Sequence, residues 1–385
     1  MASENSLRIL RPMRKHATGE RTILMMTELE TKLALLRQTM TEHGLGGIRL
    51  RGMDWFAWAT GGGSSAVLLT TDVGIAEIWV TADQAWVLTD SIEAGRLAEE
   101  ELGPELSLWA GAWAHPAERE AFVAAHRGPG PVASDRPGRD EISLPEALVQ
   151  ARSRLLPDEQ ERYRALGRDA AEAATDVLRR ARPEWSGLQL AGAAAEALWT
   201  RGIHPALTLV GDERRLPRFR HATPSRERLG ARAMLVLCAR RHGLFANLTR
   251  FVYFRAPTTA ERDLARDVAA VESAALSASK PGASLEDIYD VMVEQYRRLG
   301  HPGAEALHHQ GGACGYLARD AVARPGLRIR FQDGDAAAWN PSLPGAKIED
   351  TFLVTSRGVE LLTLDSRWPT FTLDGRQRPD LLQVT

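Results

Sequence analysis

Hydrophobic and polar positions along the chain show two kinds of pattern, helical spacing and short strand-like runs. Apolar residues recur at helical spacing from Thr27 until Gly44, which predicts a first helix. Short runs rich in apolar and β-branched residues follow and predict strands at 47–50, 66–70, 76–80, 85–88 and 131–134. Further helices are predicted over 91–102 and 116–126. This mixture predicts a small α/β domain that ends near Leu155.

The second half of the chain uses one order of elements twice. Its predicted elements are helices at 158–180 and 186–201, strands at 234–239 and 244–254, helices at 259–279 and 284–299, and strands at 336–340 and 347–354. A helix, helix, strand, strand unit that occurs twice predicts a pseudo-twofold domain. We expect the two sheets of such a domain to meet around one shared cleft.

These patterns divide the chain into three parts. Residues 1–26 carry several arginines but no apolar core of the kind that a secretory signal needs, so we expect a flexible arm. Residues 27–155 form the α/β domain, and residues 156–385 form the pseudo-twofold domain.

Composition narrows the possible partners and the compartment. Among 385 residues, 48 Lys and Arg face 50 Asp and Glu, for a formal charge of −2, so nucleic acid and anionic membranes are not expected partners. No window approaches 18 consecutive apolar residues, which argues against a membrane span. The two cysteines, Cys238 and Cys314, make no disulfide framework, and we therefore expect a cytoplasmic protein.

Several motifs resemble those of one enzyme family. Residues 347–355 (KIEDTFLVT), with Gly358 and 361–363 (LLT), resemble the closing motif of the pita-bread peptidases, which include creatinase, prolidase, aminopeptidase P and methionine aminopeptidase. Four further segments resemble motifs of the same family, namely 235–238, 246–250, 311–320 and 339–341. The resemblance spans residues 156–365, and 59–61 (ATG) adds a likeness to the creatinase-type N-terminal domain. It implies an α/β protein in which a pita-bread domain follows a smaller α/β domain, and it implies a homodimer.

The family binds two divalent metal ions, and the resemblance transfers its ligand positions to this chain. They fall on Cys238, Asn247, Gly312, Asn340 and Glu349, of which only Glu349 keeps a carboxylate. Amide and thiol groups are poor ligands for a pair of hard dications that share a water molecule. We therefore expect no metal and no other cofactor. A shifted loop could bring His308 or His309 to the place of the lost histidine ligand.

Creatinase shows that the family also supports chemistry without a metal, with a histidine as acid and base. His221 resembles that upstream histidine and lies 17 residues before Cys238. Imidazole titrates near neutral pH, so His221 is the first candidate for proton transfer, with His309 as the alternative. Glu349 is the third candidate catalytic residue. Neighbouring residues of an extended segment face opposite sides, so we expect at most one of His308 and His309 to face the cleft.

The remaining candidates would bind substrate. Arg319 stands at the family's second histidine and either binds a substrate carboxylate or pairs with Asp320 or Glu349. Asn247 and Asn340 would serve as neutral hydrogen-bonding groups. Cys238 takes the position of a ligand carboxylate and is either a nucleophile or a small residue in the core. The hairpin that carries it is two residues shorter than the family pattern, which would alter the strand register.

Together these features predict a metal-independent hydrolase that cleaves a C–N bond in a small amino-acid-derived or peptide-like substrate. Three alternatives remain open at this stage. They are a different reaction of specialised metabolism in the same cleft, a non-catalytic binding protein, and a true aminopeptidase or dipeptidase with unusual metal ligands.

Overall fold

The structure is a computed structural model that describes residues 26–384. The arm expected over residues 1–26 lies, except for Met26, outside the described residues. The chain divides into two compact units between Arg152 and Ser153. No helix between residues 26 and 384 combines the length and apolar character that crossing a bilayer requires.

The first unit is built on a six-stranded mixed sheet with the order β4-β3-β2-β1-β5-β6. Its elements are α1 (Glu28–His43), β1 (Gly47–Gly52), α2 (Met53–Ala59), β2 (Val73–Val80), β3 (Ala85–Asp90), α3 (Ala94–Arg96) with a π-helical turn (Leu97–Glu101), β4 (Ser107–Gly111), α4 (Ala117–His126), β5 (Val132–Ser134), β6 (Glu141–Ser143) and α5 (Glu146–Ser153). α1 begins at the capping box of Thr27 and Glu30. The sheet core includes Ile48, Leu50 and Ile78, which are fully buried.

Among the described residues of this unit, one predicted strand is absent, and four elements, α2, β4, β6 and α5, were not predicted from the sequence. The strand expected over 66–70 is a turn, in which the Thr71 hydroxyl bonds the carbonyl oxygens of Leu68 and Val73, and Val67 and Leu68 stay exposed. An apolar run becomes a strand only where a neighbour pairs with it. The sequence pattern also missed α2, since this helix is buried on every side and shows no polar face.

The described part of the second unit contains four long helices, two larger sheets and two two-stranded sheets. The helices are α6 (Pro157–Arg180), α7 (Gly187–Trp199), α8 (Thr259–Ala278) and α9 (Leu285–Arg298), with a 3₁₀ turn at Ala304–Leu307. The strands are β7 (His204–Asp212), β8 (Arg232–Arg241), β9 (Leu244–Tyr253), β10 (Gly311–Cys314), β11 (Ala321–Val322), β12 (Asp335–Trp339), β13 (Ser342–Leu343), β14 (Ala346–Lys347), β15 (Asp350–Thr355), β16 (Gly358–Leu361), β17 (Thr370–Leu373), β18 (Arg376–Pro379) and β19 (Leu382–Gln383). One larger sheet has the order β19-β9-β8-β7 and the other β11-β10-β12-β15-β16, and the two-stranded sheets are β13-β14 and β17-β18.

All four helices lie where the periodicity predicts them, because their ends carry strong local signals. α7, α8 and α9 begin after Ser186, Thr258 and Ser284, whose side chains accept hydrogen bonds from the third residue of each helix. α6 begins at Pro157, where the missing backbone donor costs nothing. The sequence pattern missed β7, which extends the first sheet beside β8.

The two larger sheets of this unit meet where β9 passes the start of β15. The backbone N–H of Thr249 donates to the carbonyl of Glu349 at 2.9 Å, and the N–H of Asn247 donates to the Thr351 hydroxyl at 2.8 Å. The Thr351 hydroxyl in turn donates to the carbonyl of Asn247 at 3.0 Å. This junction has the place that the repeated order of elements predicts for a shared cleft.

The packing of α6 gives a prediction about stability. A Cβ atom at Gly167 would overlap the carbonyl oxygen of Leu362, whereas a Cβ at the exposed Gly192 of α7 would meet nothing within 4 Å. We expect Gly167→Ala to lower the free energy of unfolding by about 1–3 kcal/mol in spite of alanine's helix propensity. The matched control Gly192→Ala should raise it by about 0.5–1 kcal/mol. Urea denaturation checks both, and a shift of the same sign in the two variants would contradict the close approach.

Candidate functional site

The β8–β9 hairpin places two of the predicted site residues opposite each other. Cys238 pairs directly with Asn247 in the antiparallel ladder. The hairpin closes with His242 and Gly243, both at positive φ (52° and 77°), as a tight two-residue turn requires. The short turn therefore keeps the two side chains in cross-strand register.

The second sheet supplies the other two strand residues at the junction. Trp339 pairs with Asp350 at the end of the β12–β15 ladder, and Asn340 and Glu349 are the next residues on each side. The backbone N–H of Asn340 donates to the carbonyl of Gln310 at 3.0 Å. Asn340 and Glu349 thus occupy adjoining positions beside the end of β10.

Glu349 is buried and is held by three donors. Arg319 Nη2 lies 2.5 Å from Oε1, Lys347 Nζ lies 3.1 Å from Oε2, and the Thr249 hydroxyl donates to Oε2 at 2.9 Å. Burial alone would raise the pKa of this carboxyl, but Lys347 and Arg319 outweigh burial and lower the pKa to about 2. Glu349 is therefore ionised at neutral pH. Of the two partners considered for Arg319 from the sequence, the structure shows a salt bridge to Glu349.

Three histidines form a compact cluster beside this carboxylate. The Nε2 atoms of His221 and His308 are 3.0 Å apart, and the rings of His308 and His309 stack with centroids 4.5 Å apart. One ring nitrogen from each histidine lies within 4.8 Å of the others. His308 is buried, whereas His221 is exposed.

The expectation that His308 and His309 point to opposite faces is wrong. Both rings lie against His221. Alternation of side chains holds within a regular strand, but these residues lie between the 3₁₀ turn and β10, in a segment that belongs to neither.

The surroundings keep these groups uncharged at neutral pH. Burial and the nearby Lys347 lower the pKa of His308 to about 3, and burial together with Arg319 lowers that of His309 to about 4. Burial and Lys347 also lower the pKa of His221 below its ordinary value. Burial raises the pKa of the Cys238 thiol to about 12, so Cys238 lacks the thiolate that a nucleophile needs.

The donor set does not fit a pair of hard cations that share carboxylates. Cys238, Asn247 and Asn340 carry no carboxylate, and Glu349 is already bound by two cationic side chains. The three histidines are a different donor set. Neutral imidazoles at these separations match a single zinc, copper or nickel ion, with an open position as in catalytic sites.

Many buried polar atoms at this site lack a hydrogen-bond partner among the described residues. They are Arg220 Nε, Asn247 Oδ1, His308 Nδ1, His309 Nδ1, Arg319 Nε, Asn340 Oδ1 and Ser342 Oγ. Buried polar groups are almost always satisfied in proteins, so such a concentration marks a place for ordered water or for a polar ligand.

Sequence reasoning gave no role to three residues of this site. Lys347 belongs to the quoted motif, and its position two residues before Glu349 was the available signal. Arg220 precedes His221 in an arginine-rich loop, and its adjacency to that histidine was the only hint. Thr249 belongs to the quoted segment 246–250, but nothing in that segment indicated its bond to Glu349, which joins two sheets.

Comparisons with known proteins agree with this architecture. A sequence profile of metallopeptidase family M24 matches residues 161–356, just over half of the chain. The chain is 25% identical over 131 residues to the Xaa-Pro dipeptidase of Pyrococcus furiosus, which covers 32% of this chain and 36% of that protein. It is 26% identical over 169 residues to an uncharacterized peptidase of Staphylococcus epidermidis, which covers 41% and 46%. The chain thus spans less than half the length of these curated relatives.

Solved structures show the same fold. The prolidase from Pyrococcus horikoshii superposes with a TM-score of 0.73, at 15% identity, over 88% of this chain and 99% of that one. The likeness at this identity concerns the fold alone, and it confirms the pita-bread architecture behind an N-terminal α/β domain.

The ion pairs of Glu349 predict a pH-dependent contribution to stability. Because its pKa is lower in the folded protein than the ordinary value of 4.5, the contribution is present above pH 4.5 and is lost as the pH falls towards 2. We expect Glu349→Gln to cost about 3 kcal/mol at pH 7 and much less near pH 2. Urea denaturation at several pH values measures the difference.

Glu294→Gln is the matched control. The pKa of Glu294 is also lowered to about 2, but this residue is exposed and pairs with Arg297 and Arg298 in solvent. Its replacement should change stability little at any pH. An equal loss for Glu349→Gln at pH 3 and pH 7 would contradict the ion-pair assignment.

Proposed function

Because the chain belongs to metallopeptidase family M24, we propose that it hydrolyses a C–N bond in a small peptide-like or amino-acid-derived substrate, without the metal pair of the family. The observation that carries this proposal is the contact of His221 with His308 beside an anionic Glu349 that two cations already hold. The site thereby offers imidazoles for proton transfer and cations for a developing negative charge.

His221 is the general base and acid of the proposed reaction. It is exposed and within reach of water, and the Nε2 contact with His308 fixes the orientation of its ring. The His221 imidazole removes a proton from a water molecule as the water oxygen bonds to the carbonyl carbon. The same proton then passes to the leaving nitrogen as the C–N bond breaks, which yields a carboxylic acid and an amine.

Cationic and amide side chains complete the proposed site. Arg319 and Lys347 are bound to Glu349 beside the histidine cluster. Their positive charges would stabilise the oxyanion that forms when water adds to the carbonyl carbon. Asn247 and Asn340, whose amide oxygens have no partner among the described residues, would orient the substrate as neutral hydrogen-bonding groups. His309 stacks on His308 and holds that ring in place. The homodimer and the cytoplasmic location stay predictions.

A second candidate is a hydrolase in which His221, His308 and His309 bind one transition-metal ion. The three ring nitrogens within 4.8 Å favour it, and it corresponds to the alternative of a peptidase with unusual metal ligands.

Replacement of His221 tests the proton-transfer role. We expect His221→Ala to lower the rate on a panel of dipeptides, N-acyl amino acids and amino-acid amides by about 10²–10⁴-fold, with the fold retained. Because a base must be uncharged and the pKa of His221 is lowered, the wild-type rate should stay level through neutral pH and fall only below about pH 6.5. The variant should lose this acidic limb.

The matched control is His301→Ala, because His301 pairs with Asp267 away from the cluster. It should keep both the rate and the pH profile. An unchanged pH profile in His221→Ala would move the role to His309. Loss of activity in Cys238→Ser alone would support a thiol mechanism instead.

Metal analysis separates the two candidates. After dialysis against a chelator, we expect the protein to hold well under one equivalent of Zn, Cu, Ni, Mn, Co or Fe and to keep its activity, measured by elemental analysis and by the same assay. One retained ion that His308→Ala abolishes, together with chelator-sensitive activity, would establish the second candidate.

A further inference from the structure

Arg220 is a half-buried cation that lacks an acidic partner. It lies next to His221 in the loop that follows β7, and its Nε atom is buried without a hydrogen-bond partner. Within residues 26–384, no carboxylate forms a salt bridge with Arg220. Arginines of comparable burial in the same unit, such as Arg215 and Arg241, are paired with Asp212 and Asp169. The buried Nε of this guanidinium is left for a water molecule or for a ligand that accepts hydrogen bonds.

The neighbours of Arg220 connect it to the histidine cluster. On one side the chain continues into His221, which touches His308. On the other side Arg220 lies near Tyr296, whose hydroxyl donates to Gln310 Oε1 at 3.0 Å. Gln310 directly follows His309. Glu305 also lies near Tyr296, but it forms no salt bridge with Arg220 in the described part of the chain.

The charges around the cluster sum to a positive value. Arg319 and Lys347, which act on the histidines, contribute two positive charges, and Glu349 contributes one negative charge, since its two ion pairs keep it ionised. Arg220 adds a further positive charge next to His221 in the chain. Burial and the adjacent cations hold His308 and His309 uncharged. The carboxylate that acts on all three histidines is thus already bound by cations and is not available to bind an ammonium group.

We propose that this site takes a substrate that carries a carboxylate and has no free amino group, and that Arg220 binds the carboxylate. The inference rests on the proposed function only in calling the ligand a substrate. Guanidinium binds carboxylate through two parallel hydrogen bonds, and the partly desolvated position of Arg220 strengthens them. N-acylated acidic amino acids have this chemistry.

Binding of three probes with one skeleton tests the charge requirement. They are N-acetyl-L-glutamate with charge −2, N-acetyl-L-glutamine amide with charge 0, and L-glutamine amide with charge +1. Isothermal titration calorimetry with the full-length protein at constant ionic strength should show the tightest binding for the first and none for the third. Arg220→Gln should weaken N-acetyl-L-glutamate by about 10- to 100-fold, and Arg220→Lys by less.

The matched control is Arg218→Gln, which removes an exposed arginine of the same loop and should leave the affinity unchanged. Equal affinity for the three probes, or equal effects of Arg220→Gln and Arg218→Gln, would overturn the inference. Anion binding that needs Arg220 but leads to no hydrolysis of any panel substrate would uphold the inference and refute the proposed function. Hydrolysis of L-glutamine amide that does not depend on Arg220 would uphold the proposed function and refute the inference.

Discussion

The buried Glu349 carboxylate and its three donors determine how the second unit is assembled around its site. A buried anion is tolerated only when it is paired, and the donors come from three separate segments. Thr249 belongs to β9 of one sheet, Lys347 to β14, and Arg319 to the connection between β10 and β11. The same junction carries the backbone bond from Thr249 to Glu349 that joins the two sheets. One charge thus links the packing of the sheets with the electrostatics of the site.

Because Glu349 is paired with two cations, the ring nitrogens of the histidines are the groups left to bind a ligand or to transfer protons. A carboxylate between two cations is a weak ligand for a further hard cation, and its amide and thiol neighbours cannot replace it. The histidines are then the groups that can accept or release protons, and their lowered pKa values keep their lone pairs free at neutral pH. An imidazole site and a cation-rich surrounding therefore arise from the same arrangement, and both favour a substrate that brings its own negative charge.

Prediction from sequence succeeded where the signal was local. α6, α8 and α9 each combine an apolar stripe with a start signal at the first turn, and the hairpin of β8 and β9 is marked by its own turn residues. It failed for α2, which is buried on every side although it contains Asp54, and for residues 66–70, whose apolar run found no strand to pair with. In both places burial was decided by neighbours distant in the chain.

The same division holds for the site. The motif around Glu349 was sufficient for the resemblance to the family, and that resemblance, rather than periodicity, predicted that Cys238, Asn247, Asn340 and Glu349 lie together. The common orientation of His308 and His309, their contact with His221, and the unpaired state of Arg220 became visible only in the folded chain. In irregular segments, packing and charge contacts determine the orientation of each side chain. Those contacts join residues that are distant in the sequence, so no periodic pattern predicts them.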